Sequence, residues 1–367
     1  MLRELNRKIQ DYMRPKRLAL GKYIWDKKES NINLSQNNMI KTNNINSILF
    51  LRYDGKIGDM VVNTIFFREI KKVYPDLKIG VVSRGGATDI IKYNKNVDRI
   101  YNYSKNRLEI KKLAKEISEE RYDLLIDFSE VLKVKQMMFI NLCGAKINMG
   151  IDKKGWNLFD ISLDKIDYNF HISKLYEDIL KKLGIKNVDL SYDIQLNEEE
   201  NKLKNNLNEE FVVFNPYAAS KHRSFNMEKI LEISKILLKK RKENLILIGT
   251  RDHMDELEKI KKKLGERVLI PSLKGILDVA CVIKNSKLVI TPDTSIVHIA
   301  VAFDRDIIGV YRKSIEDKNS VLWGPNSEKA KVIFVEEDVK QGQEIDINKV
   351  DIDKIRENIY ATNKSKS

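Results

Sequence analysis

The stretch Ser47-Ile48-Leu49-Phe50-Leu51-Arg52-Tyr53-Asp54-Gly55-Lys56-Ile57-Gly58-Asp59-Met60-Val61 decides the fold class. An apolar run of strand length gives way to a turn with two glycines. From Met60 to Val73 apolar residues then return at helical spacing. This is a strand, a tight loop and a helix, the opening of a βαβ unit. The alternation continues downstream. Strands are expected over 77–83, 98–101, 124–127 and 146–150, with helices over 107–120 and 131–143. After a helix over 171–184 and a polar stretch around 197–208, a second series starts at Phe211. It has strands over 211–215, 245–249, 269–270, 288–291 and 307–311, with helices between them. Repeated βαβ units imply parallel sheets covered by helices. The expected architecture is α/β, with two Rossmann-like domains facing a cleft. Residues 1–46 form a basic extension and linker, 47–208 the first domain, and 209–367 the second domain with a C-terminal helix.

The bulk properties narrow the function. The chain has 367 residues, of which 42% are hydrophobic and 33% charged, in the range of globular proteins. The apolar runs are too short to cross a bilayer, and the N-terminus carries no signal-peptide hydrophobic stretch, so a cytoplasmic protein is expected. Cys143 and Cys281 sit in apolar helix-like segments and read as core thiols. His171, His222, His253 and His298 show no metal-ligand spacing, so no metal site is expected. A net charge of +14 suits nucleic acid, anionic lipid or phosphorylated substrates. No Arg/Gly repeat, aromatic-basic signature or helix-turn-helix pattern accompanies it, so no nucleic-acid partner is expected. Residues 1–25 are basic, with apolar residues Leu2, Leu5, Ile9, Tyr12 and Met13 at helical spacing. Such a segment can lie on the inner face of an anionic membrane as a peripheral contact, or pack on the protein's own body. The Asn-rich stretch 30–46 reads as a linker.

Chemistry is carried by loops between strands and helices. In Gly55-Lys56-Ile57-Gly58-Asp59 the glycines permit a tight turn and close approach of another molecule. Asp59 is either a helix cap or a general base able to take a proton from an attacking hydroxyl. The loop lacks the third glycine of a dinucleotide fingerprint. Asn215 to Phe225 follows the first strand of the second domain, and its Lys221 and Arg223 suit a phosphate or diphosphate unless they are simply solvated. Thr291-Pro292-Asp293-Thr294-Ser295-Ile296-Val297-His298 offers hydroxyls and N–H groups at a helix start, where a diphosphate could sit. His298, one turn in, is expected on the same side. Gly249 ends a strand on the same edge, followed by Thr250, Arg251 and Asp252.

Taken in this order, the segments resemble glycosyltransferase family 9, the lipopolysaccharide heptosyltransferase family, from about Ile48 to about Phe334. The likeness is most specific in Ile48 to Val61 and in Asp293-Thr294 with His298-Ile299-Ala300. Lys221-His222-Arg223 and Trp323-Gly324-Pro325 also match. The resemblance implies the GT-B type of fold and an inverting, metal-independent transfer without a cofactor. The default donor is ADP-heptose, and the acceptor a phosphorylated glycolipid of a lipopolysaccharide core or a related envelope glycan. By position it makes Asp59 the base, beside the acceptor-side loop residues Gly55, Lys56 and Gly58. Lys221 would bind donor phosphate, with Arg223 and Gly249 beside it. Asp293 would hold the sugar, Thr294 and Ser295 the diphosphate, and His298 would support that loop. A nucleotide-sugar epimerase or hydrolase on the same architecture, or a non-catalytic glycan-binding relative, are the alternatives. Ser295 stands where many members carry Gly, and Tyr217 follows Pro216 where a Gly is common.

Overall fold

A computed structural model describes residues 2–28, 37–197, 209–313, 319–337 and 344–364. The chain begins with a long helix, α1 (Leu2–Trp25), and a short one, α2 (Met39–Thr42). The first unit follows as β1 (Ser47–Leu51), α3 (Ile57–Val73), β2 (Lys78–Ser83), α4 (Gly86–Asp89), β3 (Arg99–Asn102), α5 (Arg107–Glu119), β4 (Leu124–Asp127), α6 (Val134–Cys143), β5 (Ile147–Ile151), β6 (Ile161–Leu163) and α7 (Ile172–Leu183). The second contains β7 (Phe211–Phe214), α8 (Met227–Lys240), β8 (Asn244–Leu247), α9 (Met254–Leu264), β9 (Val268–Leu269), α10 (Ile276–Asn285), β10 (Leu288–Pro292), α11 (Ser295–Ala302), β11 (Asp306–Lys313), α12 (Asn319–Leu322), β12 (Ala330–Glu336) and α13 (Ile352–Lys364).

Each unit holds a six-stranded parallel sheet. The orders are β3-β2-β1-β4-β5-β6 and β12-β11-β10-β7-β8-β9. Counted from its own first strand, each sheet reads 3-2-1-4-5-6, the doubly wound order. The central strands are fully buried (Leu124 to Asp127, Phe211 to Phe214), because helices cover both faces of a parallel sheet. In both sheets the winding reverses between the first and fourth strands, opening a crevice at their carboxyl ends. The two crevices are β1/β4 and β7/β10.

The units meet through α3 and α11, which pack together. Their apolar residues merge: Met60 and Val61 belong to the same core cluster as Ile296, Ile299 and Ala300. α7 packs on α3, and α13 on α8.

The stretch 30–46 is only partly a linker. Residues 29–36 lie outside the described residues. Beyond them Met39, Ile40 and Ile45 are buried in the core of the first unit, with α2 against α7. The Asn-rich composition concealed three apolar anchors. Two strands were also absent from the sequence reading. β6 has only three residues, and β12 is an edge strand whose apolar run Val332 to Val335 lies between Lys331 and Glu336, with only Ile333 and Val335 buried. No helix among the described residues is long and apolar enough to cross a membrane.

Candidate active site at the two switch points

In the first unit the chain leaves β1 at Arg52, turns through Gly55 at φ 79°, and enters α3 with Asp59 in its first turn. Arg52 is almost entirely buried. Its guanidinium donates to Tyr176 Oη (2.9 Å) and Asn63 Oδ1 (3.1 Å), and lies 3.4 Å from the Asp59 carboxylate and 3.6 Å from that of Asp54. Lys56 Nζ is 3.8 Å from Asp59 on the solvent side. Burial pushes the Asp59 carboxyl above its ordinary range, while Arg52 and then Lys56 pull it back. Burial also works against the Arg52 charge, but Tyr176, Asp59 and Asp54 more than offset it.

Asp59 lines a cavity of about 220 Å³ with Arg52, Asp54, Lys56, Glu130 and Trp323. The floor comes from the ends of β1 and β4, and Leu322 and Trp323 of the second unit close one side. Beyond β4, Asp127 is fully buried and accepts from Tyr53 Oη (2.8 Å) and Ser129 Oγ (2.6 Å). Lys153, only 2% exposed, donates to the carbonyls of Ser129 (2.5 Å), Glu130 (3.1 Å) and Ile151 (2.7 Å). Burial drives its pKa down and the Asp127 charge opposes this. The ammonium therefore fastens the loop that forms one cavity wall. Glu130 on that loop accepts from Tyr168 Oη, 3.0 Å to each oxygen.

In the second unit Asn215, just past β7, spans the other switch point. Its amide donates to Thr291 Oγ1 (2.9 Å) and the Tyr217 carbonyl (3.1 Å). Thr294 caps α11 by accepting from the Ile296 N–H, leaving that helix start facing the crevice. Lys221 and Arg223 lie in a 3₁₀ turn after β7. Arg223 reaches across to Asp293, 2.6 Å to the carboxylate and 2.7 Å to the carbonyl, so two of the expected donor residues are joined directly. Lys221 is exposed on the same turn. Gly249 backs against Tyr217, whose ring stacks on His253 at 3.6 Å.

The two crevices come into contact at Gly58. A Cβ on Gly58 would lie 2.7 Å from His298 Cδ2 and 3.5 Å from Ser295 Cα. The Asp59 turn and the start of α11 are thus in van der Waals contact, with hydrogen in place of a side chain. His298 lies at this contact. It is buried in the contact between the units, near Tyr192 and Trp323, with Nδ1 unpartnered. Burial holds its pKa down at about 3. The expectation was that His298 shares a side with Thr294 or Ser295; it shares one with Ser295, since both meet Gly58, and that side is packed on α3. No group of three or more His, Cys, Asp or Glu side chains among the described residues is arranged to hold a metal.

Against known proteins, residues 110–349 match the model of glycosyltransferase family 9 (heptosyltransferase). The chain belongs to glycosyltransferase family 9. A provisionally named lipopolysaccharide heptosyltransferase 4 of Escherichia coli (strain K12) is 26% identical over 295 residues, covering 78% of this chain and 80% of that protein. Two solved E. coli structures share the fold. The ADP-heptose lipopolysaccharide heptosyltransferase II matches with TM-score 0.67 and 17% identity, over 88% of this chain and all (100%) of its own. Heptosyltransferase WaaC with ADP matches with TM-score 0.70 and 16% identity, over 86% of this chain and 99% of its own. The family is one of glycosyltransferases, and its two-unit α/β fold is the one described above.

Sequence reasoning missed Arg52, Lys153, Glu130 and Tyr168 as parts of the site. Arg52 did leave a signal, as a cation closing an apolar strand one residue before the turn. Lys153 left none, because its partners are backbone carbonyls brought in by the fold.

Proposed function

We propose that this family 9 member transfers a heptose from ADP-heptose to a hydroxyl of a phosphorylated glycolipid, of the lipopolysaccharide core or a related envelope glycan, with inversion and without a metal. The observation that carries the reading is Asp59: a largely buried carboxylate on an arginine, lining a cavity, one residue from the glycine that touches the start of α11. The Asp59 turn precedes the span matched by the family model, so its role rests on this geometry. As the acceptor hydroxyl attacks the anomeric carbon, Asp59 takes its proton and the bond to the diphosphate breaks. Burial makes the carboxylate a better base than a solvated one, while Arg52 keeps it ionised and aimed.

The leaving diphosphate would lie at the Thr294–Ser295 helix start. Its developing charge would meet the N–H groups there and the Lys221 and Arg223 cations, a preorganised positive field that does the work of a metal. Asp293 would hold sugar hydroxyls, oriented by Arg223. Lys56, exposed at the cavity mouth, supplies a cation for a phosphorylated acceptor. The ADP part of the donor is supported by the two relatives whose names carry ADP or ADP-heptose.

The test is nucleotide release from ADP-heptose with and without acceptor. Acceptor-dependent ADP release, lost in Asp59→Ala while ADP still raises the melting temperature, is the expected result. A ligand at a hundred times its Kd adds about 2.7 kcal/mol, readily seen in such a shift. Full activity in Asp59→Ala, or equal release without acceptor, would overturn the assignment.

A further inference from the structure

The long N-terminal helix has two opposite faces, and the protein uses only one. Near its C-terminal end Gly21 lies directly against Val134, the first residue of α6, so closely that a Cβ there would come 2.7 Å from Val134 Cγ2. Lys22 Nζ donates to the Gly155 carbonyl (3.1 Å) and sits 4.5 Å above the Trp156 ring. Buried Asp26 accepts from the Leu158 N–H (2.8 Å), and Asn141 donates to the carbonyls of Trp25 (3.2 Å) and Lys27 (2.8 Å). These contacts clamp residues 21–27. They also set the direction of α1: Gly21 lies at the N-terminal end of α6 and Trp25 towards its C-terminal end. Residues 2–20, about 27 Å of helix, therefore run out past the N-terminal end of α6. That end borders the cavity, since Gln136 and the Ser129–Glu130 loop are in its wall.

Within residues 9–20 every side chain but Met13 is exposed. At 100° per residue, Ile9, Tyr12, Leu20 and Tyr23 fall within an arc of about 80°, on the side away from Gly21 and Trp25. They are 50%, 65%, 61% and 75% exposed, and Ile24 adjoins them. With Ile24 the five span about 120°, and Leu18, 39% exposed, lies off that arc. Cations flank them: Lys16 lies 4.2 Å over the Tyr12 ring and Lys27 5.0 Å over that of Tyr23, Arg17 is exposed beside the Ile24 edge, and Arg14 is exposed on the opposite side. The helix carries seven Lys and Arg against two acidic residues.

We propose that α1 docks the protein on an anionic lipid bilayer, its apolar stripe in the headgroup–acyl boundary and its cations on the lipid phosphates. Charge complementarity selects this occupant. Lysines folded over tyrosine rings can extend to the headgroups as the rings sink in. Each cation near an anionic surface adds attraction that salt screens. Because residues 2–20 leave the body at the cavity end of α6, the docked helix would hold the cavity beside the membrane. The inference rests on the helix and stands whether or not the acceptor is a lipid.

The test is co-sedimentation of the full chain with phosphatidylcholine vesicles, with and without phosphatidylglycerol. The chain should bind the mixed vesicles, and binding should weaken as salt rises. The variant carrying Ile9→Ser, Tyr12→Ser, Leu20→Ser and Tyr23→Ser should partition at least about tenfold more weakly with unchanged melting temperature. Arg14→Glu with Lys16→Glu and Arg17→Glu should abolish the preference for anionic vesicles, and serves as the arm if the serine variant folds poorly. No binding to mixed vesicles, equal binding by both variants, or a dimer in light scattering that the serine variant splits without any vesicle binding would each overturn the proposal.

Discussion

Removing Arg52 tests how the site sets its base. The guanidinium and the Asp59 carboxylate are 3.4 Å apart, and both are largely shielded from water. At an effective dielectric near 20, unit charges at that distance attract by about 5 kcal/mol. Delocalisation over the guanidinium and the competing claim of Asp54 at 3.6 Å reduce this. A carboxylate beside an arginine is typically held down by about 1–3 pH units. A base must be ionised to act, so with Asp59 in the proposed role activity should be present above its pKa and lost as the pH falls through it. Burial already raises that pKa, and Arg52 is the first of the two cations opposing the rise. Arg52→Gln should therefore move the acid limb of kcat/KM upward by about 1–3 pH units, with rate recovering at higher pH. Arg52→Lys, which keeps a charge, should move it far less. Loss of a buried ionic partner can cost about 3–5 kcal/mol of stability, so melting temperature and circular dichroism must accompany each profile. The assay is ADP release against pH at subsaturating donor. A folded Arg52→Gln enzyme whose acid limb stays in place or moves down would refute the coupling. An unchanged limb in a residually active Asp59→Asn variant would show that another group titrates.

Other substitutions probe the surrounding frame. Gly58→Val would drive a branched side chain into His298 and Ser295, and should cost about 1–3 kcal/mol as overpacking does, read as a lower melting temperature and a raised donor KM. Lys153→Met leaves the Ser129 and Glu130 carbonyls and buried Asp127 without their cation, and should destabilise the first unit by about 3–5 kcal/mol in urea titrations. Arg223→Ala removes the ion pair to Asp293, and should raise the KM for donor more than it lowers kcat. His298 is held neutral, its folded pKa of about 3 lying below the ordinary 6.5. The unfolded chain binds that proton first as the pH falls. Its share of stability is thus complete above about pH 6.5 and drains away towards pH 3, by about 2 kcal/mol at pH 5. His298→Gln should reduce the slope of melting temperature against pH over that window, His171, held down at about 4 by burial, keeping its own share, and an unchanged slope would refute the assignment.

The parts of the fold that could be read from sequence were those whose cause is local. β1, β4, β7 and β10 are apolar runs because both faces of a parallel sheet are covered, and such runs are visible residue by residue. β12 buries only Ile333 and Val335 because it is an edge, and α2 hides two anchors among asparagines; in both the burial depends on what packs there, not on propensity. The loops were legible for the same reason as the strands, since each switch point must follow a strand and precede a helix. The connections between loops were not. Arg52 finds Tyr176 across 124 residues and Arg223 finds Asp293 across 70, and no spacing rule links them.

Gly58 joins what was legible to what was not. In the sequence its lack of a side chain suggests backbone freedom or the close approach of a ligand. In the fold its φ lies outside the left-handed region, so freedom is not the reason. The close approach is real, but the neighbour is the second unit of the same chain. That contact sets the distance between the carboxylate one residue further on and the helix start where a leaving diphosphate would sit. A base and an oxyanion site supplied by different units act together only if their spacing is held to a fraction of an ångström. A glycine at that contact allows the spacing to be set by backbone against backbone and a buried imidazole, with no flexible side chain between. Arg52 then fixes the remaining freedom, the orientation of the Asp59 carboxylate itself.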